Sequence, residues 1–528
     1  MKEDWIFAIL TKDLDYIKTG VSNYLGEKEY YSTGSIKNDG YTSEGMYSFT
    51  NRPSRANRSG QLGDVLQARM KDTDKAILID EKFDQQLFST GFIQIRPNPE
   101  TLLSKYIYHY LKSILFLNAK DENCSGSTQS ALNDENAQNL LIPIAPLPIQ
   151  RAIVSKIEAL FSDLDNGIAN FKKAQEQLKI YRQAVLKKAF EGELTKEWRV
   201  RTGHALSQQG LSLPTAEELL KQIKEERQNH YNQQMEDWKK AVKVWEKEGS
   251  VGKKPSKPTQ LKELPSLKQE ELDELPILPN GWKWIKFNEL LLSIRGGTTL
   301  VPIDKPTQYP ILRSSSVRYN KIDFTDVRYI NQDKSINNSD FVIPNDLLFT
   351  RLNGTVDFVG NCVKVKETVP KNLLYPDRLY CAKVCNQKYS DFVSFYFLSP
   401  TVRRVITDKA KSTAGHKRIS ITDITEINYT LCSLKEQTQI VQEIESRLSV
   451  CDKMEQSIIE SIEKAEALRQ SILKKAFEGK LLSQAEIELC KTAADYEPAS
   501  ELLKKIQAEK WEKEQEKKKL SIKKKSKK

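Results

Sequence analysis

Histidine is scarce in this 528-residue chain, which has four of them, His109, His204, His230 and His416, from which a histidine-centred active site would have to be built. Long apolar runs are missing too. None approaches the roughly 18 residues of a membrane-spanning helix, and Met1-Lys2-Glu3-Asp4 leads into no apolar stretch of a secretory signal. The chain therefore reads as intracellular, with a cytoplasmic location and no membrane partner expected. Cysteines are few and odd in number, seven in all, and only Cys381 and Cys385 lie close together. Their gap, with no second pair and no nearby histidine, is poor zinc spacing, so reduced thiols and no metal site are expected. H-E-x-x-H, G-x-S-x-G and G-x-G-x-x-G are absent, as is the Asn-Pro-Pro-aromatic motif with which amino-methylating enzymes treat an extruded base. Gly249-Ser250-Val251-Gly252-Lys253-Lys254 looks like a phosphate loop but lacks the G-x4-G-K-[S/T] spacing and sits in a charged stretch. Asp80-Glu81-Lys82, the nearest approach to a nuclease cluster, reads more simply as a solvated turn. No catalytic residue is assigned.

What is present is length, charge and repetition. With 39% hydrophobic and 29% charged residues the composition is that of a globular protein with room for extended charged helices. The length exceeds what one core can organise. The net charge of +11 is unevenly placed: Lys510 to Lys528 holds ten lysines against Glu512, Glu514 and Glu516, so this tail carries +7 and leaves +4 for the remainder. Net charge by itself is thus a weak argument for nucleic acid, and a solvated lysine tail is the plainer reading.

Self-comparison finds LKKAFEG twice, at Leu186–Gly192 and at Leu473–Gly479, an offset of 287. Carried back without a gap, that offset makes 19 of the 48 positions from Leu147 to Leu194 identical, where average residue usage gives about three by chance. A weaker echo pairs Glu218–Ile223 with Glu501–Ile506, and another pairs Trp5, Ile17 and Gly20 with Trp282, Ile294 and Gly297. Gly63-Asp64-Val65-Leu66 with Arg69 likewise matches Asn345-Asp346-Leu347-Leu348 with Arg351. One module is written twice. A period near 280 residues is a domain duplication, not a solenoid.

Each module has two textures. From Pro148 to Phe190 apolar residues recur at three- and four-residue steps, among them Ile153, Ile157, Leu164, Leu186 and Phe190. The second copy runs through Ile440, Ile444, Leu448, Leu473 and Phe477. Neither stretch contains an internal proline, and Gly192 and Gly479 are placed as helix stops. Some 38 residues make rods of roughly 55 to 60 Å, with stripes suited to antiparallel pairing. The other texture consists of short β-favouring runs, such as Phe92–Ile95, Phe341–Ile343 and Leu379–Val384, with helical stretches at Ser104–Leu111 and Asp391–Leu398. The expected fold is α+β: mixed α/β domains over 1–146 and 278–433, helical spacers over 147–194 and 434–482, a charged connector over 195–277, and a helical segment with the lysine tail over 483–528.

Two clusters suit the reading of DNA. The first globule carries Arg52, Arg55 and Arg58 among Asn, Ser and Gly, below Tyr47 and Phe49, with Arg69 further on. The second carries Arg295-Gly296-Gly297, then Arg313, Arg318 and Tyr319, Arg351, and Lys417-Arg418. Arginine spans two acceptors on a guanine edge, Asn and Gln do so on adenine, and lysine meets phosphate as a point charge. Adjacent glycines permit close backbone approach.

Two divergent globules, each followed by a helix that ends in LKKAFEG-L and carries Gln150 or Gln437 near its start, resemble the specificity subunits of Type I restriction-modification systems. Leu278-Pro279-Asn280-Gly281-Trp282 is similar to that family's entry into a target-recognition domain, and Gly126-Ser127-Thr128-Gln129 with Ala131-Leu132 also matches. The chain departs in lacking Leu-Pro-x-Gly before Trp5 and in its longer connector. The resemblance implies two target-recognition domains that each read one half of a bipartite, asymmetric site, held apart by the helix pair of a pseudo-twofold repeat. It implies methyltransferase subunits, two of them, docked on the helical regions, and restriction subunits recruited through the complex. S-adenosylmethionine, ATP and Mg²⁺ would be bound by those partners, with none on this chain. Two other readings stand beside it. A self-sufficient methyltransferase or nuclease would bind S-adenosylmethionine directly, and a coiled-coil scaffold would show no salt-dependent DNA binding.

Overall fold

Two helices of 44 residues, Leu147–Phe190 and Leu434–Phe477, dominate the computed structural model of the protein. Both end where the sequence places a glycine: Gly192 and Gly479 sit at φ +76° and +71°, the left-handed conformation that stops a helix at low steric cost. Both starts are tied by the glutamine that the two copies share. Gln150 Nε2 donates to the Ala145 carbonyl at 2.8 Å, and Gln437 Nε2 donates to the Cys432 carbonyl at 2.8 Å. The structure describes residues 4–37, 40–126, 130–250, 254–318, 320–331, 336, 340–413 and 416–525. Residues 127–129, Tyr319, residues 251–253 of the phosphate-loop look-alike and the last residues of the lysine tail lie outside them.

The chain packs as two units, residues 1–173 with 457–528, and residues 174–456, so the unit boundaries fall inside both long helices. In the first unit Ile6–Ile9 pairs antiparallel with Leu141–Ile144. Val65–Ala68 is the central strand between Phe92–Ile95 and Ala76–Leu78, and helix Ser104–Leu111 packs on them. Short strands Met46–Tyr47, Lys28–Tyr31, Leu87–Phe88 and Arg58–Ser59 form a second sheet. In the second unit Lys283–Lys286 pairs antiparallel with Asn428–Leu431. There Leu347–Thr350 lies between Leu379–Val384 and Cys362–Lys364, with Leu291–Gly296 beyond Leu379–Val384. The three-strand order around Val65–Ala68 recurs around Leu347–Thr350, and the second unit adds Leu291–Gly296 at the edge of that sheet.

The same buried carboxylate anchors both sheets. Asp64 has no exposed surface, accepts from the Gln61 N–H at 2.9 Å and takes Arg96 Nε at 2.7 Å. Asp346 accepts from the Ile343 N–H at 3.0 Å and takes Lys383 Nζ at 2.8 Å. A buried carboxylate is tolerated because each is met by a cation and a backbone donor. That requirement explains why Asp64 and Asp346 recur at matching places in the repeat.

The tertiary structure changes three expectations. Residues 195–277 are more than a connector: Ala216, Leu219 and Ile223, on the helix Ala216–Lys247, belong to the core of the second unit. In the same way Ala499, Leu502, Leu503 and Ile506 of the helix Ala499–Lys525 belong to the core of the first. The ELLK echo is thus a pair of core-filling helix starts, each burying an apolar stripe that would otherwise face water. Finally, Phe341–Ile343 forms no strand; the segment is irregular and buries Val342 alone.

His109, inside the helix Ser104–Leu111, packs edge-on against Phe161 with ring centroids 5.8 Å apart. Burial is the main reason its imidazole is held down to about 4. The unfolded chain therefore binds the extra proton first as pH falls from the ordinary value of about 6.5. Stability contributed by neutral His109 is present above pH 6.5 and drains away towards pH 4. Thermal unfolding of His109→Leu, followed from pH 7 to pH 4, is expected to show a shallower loss of Tm than the parent; equal slopes would remove His109 from the acid response.

Candidate nucleic-acid interface

Below the first sheet the chain turns through Tyr47–Arg55. Arg52 lies over Phe49, its guanidinium carbon 4.1 Å from the ring centroid, and its Nε donates to the Ala56 carbonyl at 3.1 Å. Phe49 in turn meets Tyr24 edge-on at 5.8 Å, and Lys28 stands 4.9 Å from the Tyr24 ring. Arg52 braces the turn and Arg55 is its exposed cation. The surface is a cationic, aromatic patch of a kind that meets phosphates and base faces.

Arg58 and Arg69, expected at the DNA face, turn inward instead. Arg58 is 1% exposed and its Nη1 donates to the Ile17 carbonyl at 2.7 Å. Burial, with the nearby charge of Arg69, pushes its guanidinium down to about 10. Arg69 bonds the Phe92 carbonyl at 3.0 Å, the Tyr16 hydroxyl at 2.7 Å and Asp134 at 2.5 Å. Arg69 spends its donors inside the globule, holding strands and loops together, while Arg58 is enclosed there with its Nε and Nη2 unpartnered; neither is presented to a ligand in this structure.

The second globule is more open. Arg313 and Arg318 are exposed; the first pairs with Asp326 at 3.4 Å and the second lies 5.4 Å from the Phe358 ring. Arg295 pairs with Asp340 at 3.2 Å, and Gly296 is exposed where its strand ends. The next residue must be glycine, since a Cβ on Gly297 would lie 2.1 Å from the Tyr375 carbonyl oxygen. Lys417 and Arg418 are on the strand His416–Arg418, held between Lys411–Thr413 and Leu352–Asn353. Arg351, the repeat counterpart of Arg69, donates to the Asp377 carbonyl at 3.1 Å.

These residues converge. Arg351, Leu352, Asp377, Arg378, His416 and Arg418 line a hollow of about 260 Å³. A second hollow of about 500 Å³ shares Asp377 and Arg378 and adds Arg313 and Arg328. Five arginines thus border the two hollows against one lining carboxylate. Arg328, engaged with Asp304 at 2.8 Å, and Arg378 belong to neither arginine cluster of the sequence. The turn Pro376-Asp377-Arg378 ahead of a buried strand was the available signal for Arg378. Among the described residues no group of three or more His, Cys, Asp or Glu could hold a metal ion, and no helix is long and apolar enough to cross a membrane.

Comparison with known proteins points one way. Residues 10–173 match the family profile of the Type I restriction modification DNA specificity domain. The specificity subunit of the Type I restriction enzyme EcoKI from Escherichia coli K12 is 29% identical over 412 residues, covering 78% of this chain and 73% of that protein. The StySPI specificity subunit from Salmonella potsdam is 22% identical over the same shares. A chain from a solved structure, described as the structural basis underlying complex assembly and conformational transition of the type I R-M system, aligns with TM-score 0.59. It covers 91% of this chain and 99% of that one at 18% identity.

Proposed function

This chain belongs to the specificity subunits of Type I restriction-modification systems, and from that premise we propose that it reads a bipartite, asymmetric site on double-stranded DNA and carries out no chemistry itself. The observation that carries the reading is one scaffold bearing two dissimilar surfaces. Asp64 with Arg96 and Asp346 with Lys383 lock matching sheets, while the aromatic turn around Arg55 has no likeness to the arginine-lined hollows around Arg378. Equal scaffolds with unequal loops read unequal half-sites.

The finer architecture is proposed on the same footing: an antiparallel, coiled-coil-like pair of long helices related by a pseudo-twofold repeat, with the two recognition domains held at a set span. Asp165 meets Arg469 in one unit, and Arg182 meets Asp452 at 2.6 Å in the other. Under the 287-residue offset these are the same two positions with their helices exchanged, which supports that reading. Methyltransferase subunits, two of them, would dock on the helical regions, and restriction subunits would join through the complex. S-adenosylmethionine, ATP and Mg²⁺ would then be bound by those partners, and the target adenine would be flipped into a partner's pocket.

Mapping the methylated sites in cells that carry the full system tests this. Arg55→Ala is expected to relax only one half of the recognised sequence, and the triple change of Arg313, Arg378 and Arg418 to Ala only the other, each lost base contact costing about 1–3 kcal/mol. Arg58→Ala should instead lower Tm. A change in both halves from either DNA-face variant defeats the modular reading.

A further inference from the structure

Two loop tips leave an aliphatic side chain in water beside the cationic clusters. Both follow glycines that match in the repeat, Gly20 and Gly297. The first is tethered where the Gly20 N–H donates to the Asn57 carbonyl at 2.8 Å and where Tyr24 Oη donates to the Tyr47 carbonyl at 2.9 Å. Beyond Tyr24, Leu25 is 100% exposed. The second is tethered by the bridges Thr298–Pro376 and Ile303–Tyr329. Between them Leu300 packs inward while Val301 stays 83% exposed.

A single exposed leucine is ordinary. What sets these apart is their surroundings. Val301 lines the same hollow as Arg313, Arg328 and Arg378. Leu25 adjoins Tyr24, whose ring is packed against Phe49 and faced by Lys28. Leu25 is flanked on its other side by the pairing of Lys28 with Tyr47, so each module offers an unburied aliphatic group on a loop pinned on both sides, next to groups that suit phosphates and base edges. In the major groove of DNA the apolar feature is the thymine C5-methyl group. Burying it against Leu25 or Val301 removes apolar surface of both partners from water.

We infer that Leu25 and Val301 are specificity-determining residues, each receiving a thymine methyl group of one half-site. The inference rests on the DNA-reading function proposed above and names part of its chemistry.

Selection of bound duplexes from a randomised DNA library by the purified full chain tests it. The parent is expected to enrich a bipartite sequence with a thymine in each half. Replacing that thymine by deoxyuridine, which lacks only the methyl, should weaken parent binding about fourfold. Val301→Ser should be insensitive to the replacement in one half, Leu25→Ser in the other, and both should keep the parent Tm because neither side chain is packed. If the variants feel the loss of the methyl as the parent does, or if a half-site contains no thymine, the assignment of these two residues is overturned while the DNA-reading function stands. If the parent enriches no bipartite sequence, the function itself falls.

Discussion

Phe477→Ala is expected to loosen the first globule and Phe190→Ala the second, so each repeat of LKKAFEG stabilises the globule that the other repeat follows in sequence. Phe477 is 5% exposed and meets Tyr106 and Tyr110 edge-on, with centroids 5.2 and 5.0 Å away. Phe190 meets Phe392 and Tyr396 at 5.1 and 5.0 Å. The tyrosines in turn hold the strand that leads into each long helix. Tyr110 Oη donates to the Leu141 carbonyl at 2.8 Å, and Tyr396 Oη donates to the Asn428 carbonyl at 2.6 Å. Truncating a buried phenylalanine costs about 3–5 kcal/mol, and the lost ring contacts add about 0.5–1.5 kcal/mol. Hydrogen exchange read by mass spectrometry should therefore accelerate in Ser104–Leu111 for Phe477→Ala and in Ser390–Phe397 for Phe190→Ala. The opposite assignment, with Phe190→Ala opening Ser104–Leu111, would contradict the packing.

This exchange of helix ends was the part of the fold that the sequence hid. The helices themselves were legible, because a 3.6-residue apolar period without proline and with a terminal glycine has few other solutions. So were Phe92–Ile95 and Leu379–Val384, where β-branched and aromatic residues sit between turns. Which core a stripe fills is a long-range property, and nothing in LKKAFEG states whether Phe190 faces Tyr110 or Tyr396. The same limit applies at Ala216–Ile223 and Ala499–Ile506, where charged flanks gave the look of linker and tail while every third or fourth residue is buried. At the candidate site, Arg55 and Arg58 share a loop-like composition, yet one is exposed and the other 1% exposed. Arg55 stands in a turn while Arg58 opens the strand Arg58–Ser59 and enters the core, and composition does not record that difference. Arg378 is illegible in the sequence for the complementary reason: it stands alone there and joins Arg313 and Arg418 only through folding.

The proposed ruler makes the largest demand on function. Deleting residues 170–176 together with 458–464 removes seven residues from each long helix, about 10 Å of rise, or about three base pairs of DNA. Seven residues are two turns to within about 20°, so Asp165 can still face Arg469 and Arg182 can still face Asp452. Both globules keep their cores, since no residue of the deleted segments belongs to the buried cluster of either. The two half-sites selected by the shortened chain should be those of the parent, with the gap between them reduced by about three base pairs. On DNA with the parent spacing only one reader can engage, and the gain from linking two readers, about 10²–10⁴ in affinity, is lost. Shortening one helix alone sets its ion-pair partners out of register and should abolish binding at either spacing. Selection from a library with variable gaps separates these cases. An unchanged preferred gap in the doubly shortened chain would show that something other than the long helices fixes the distance between the halves.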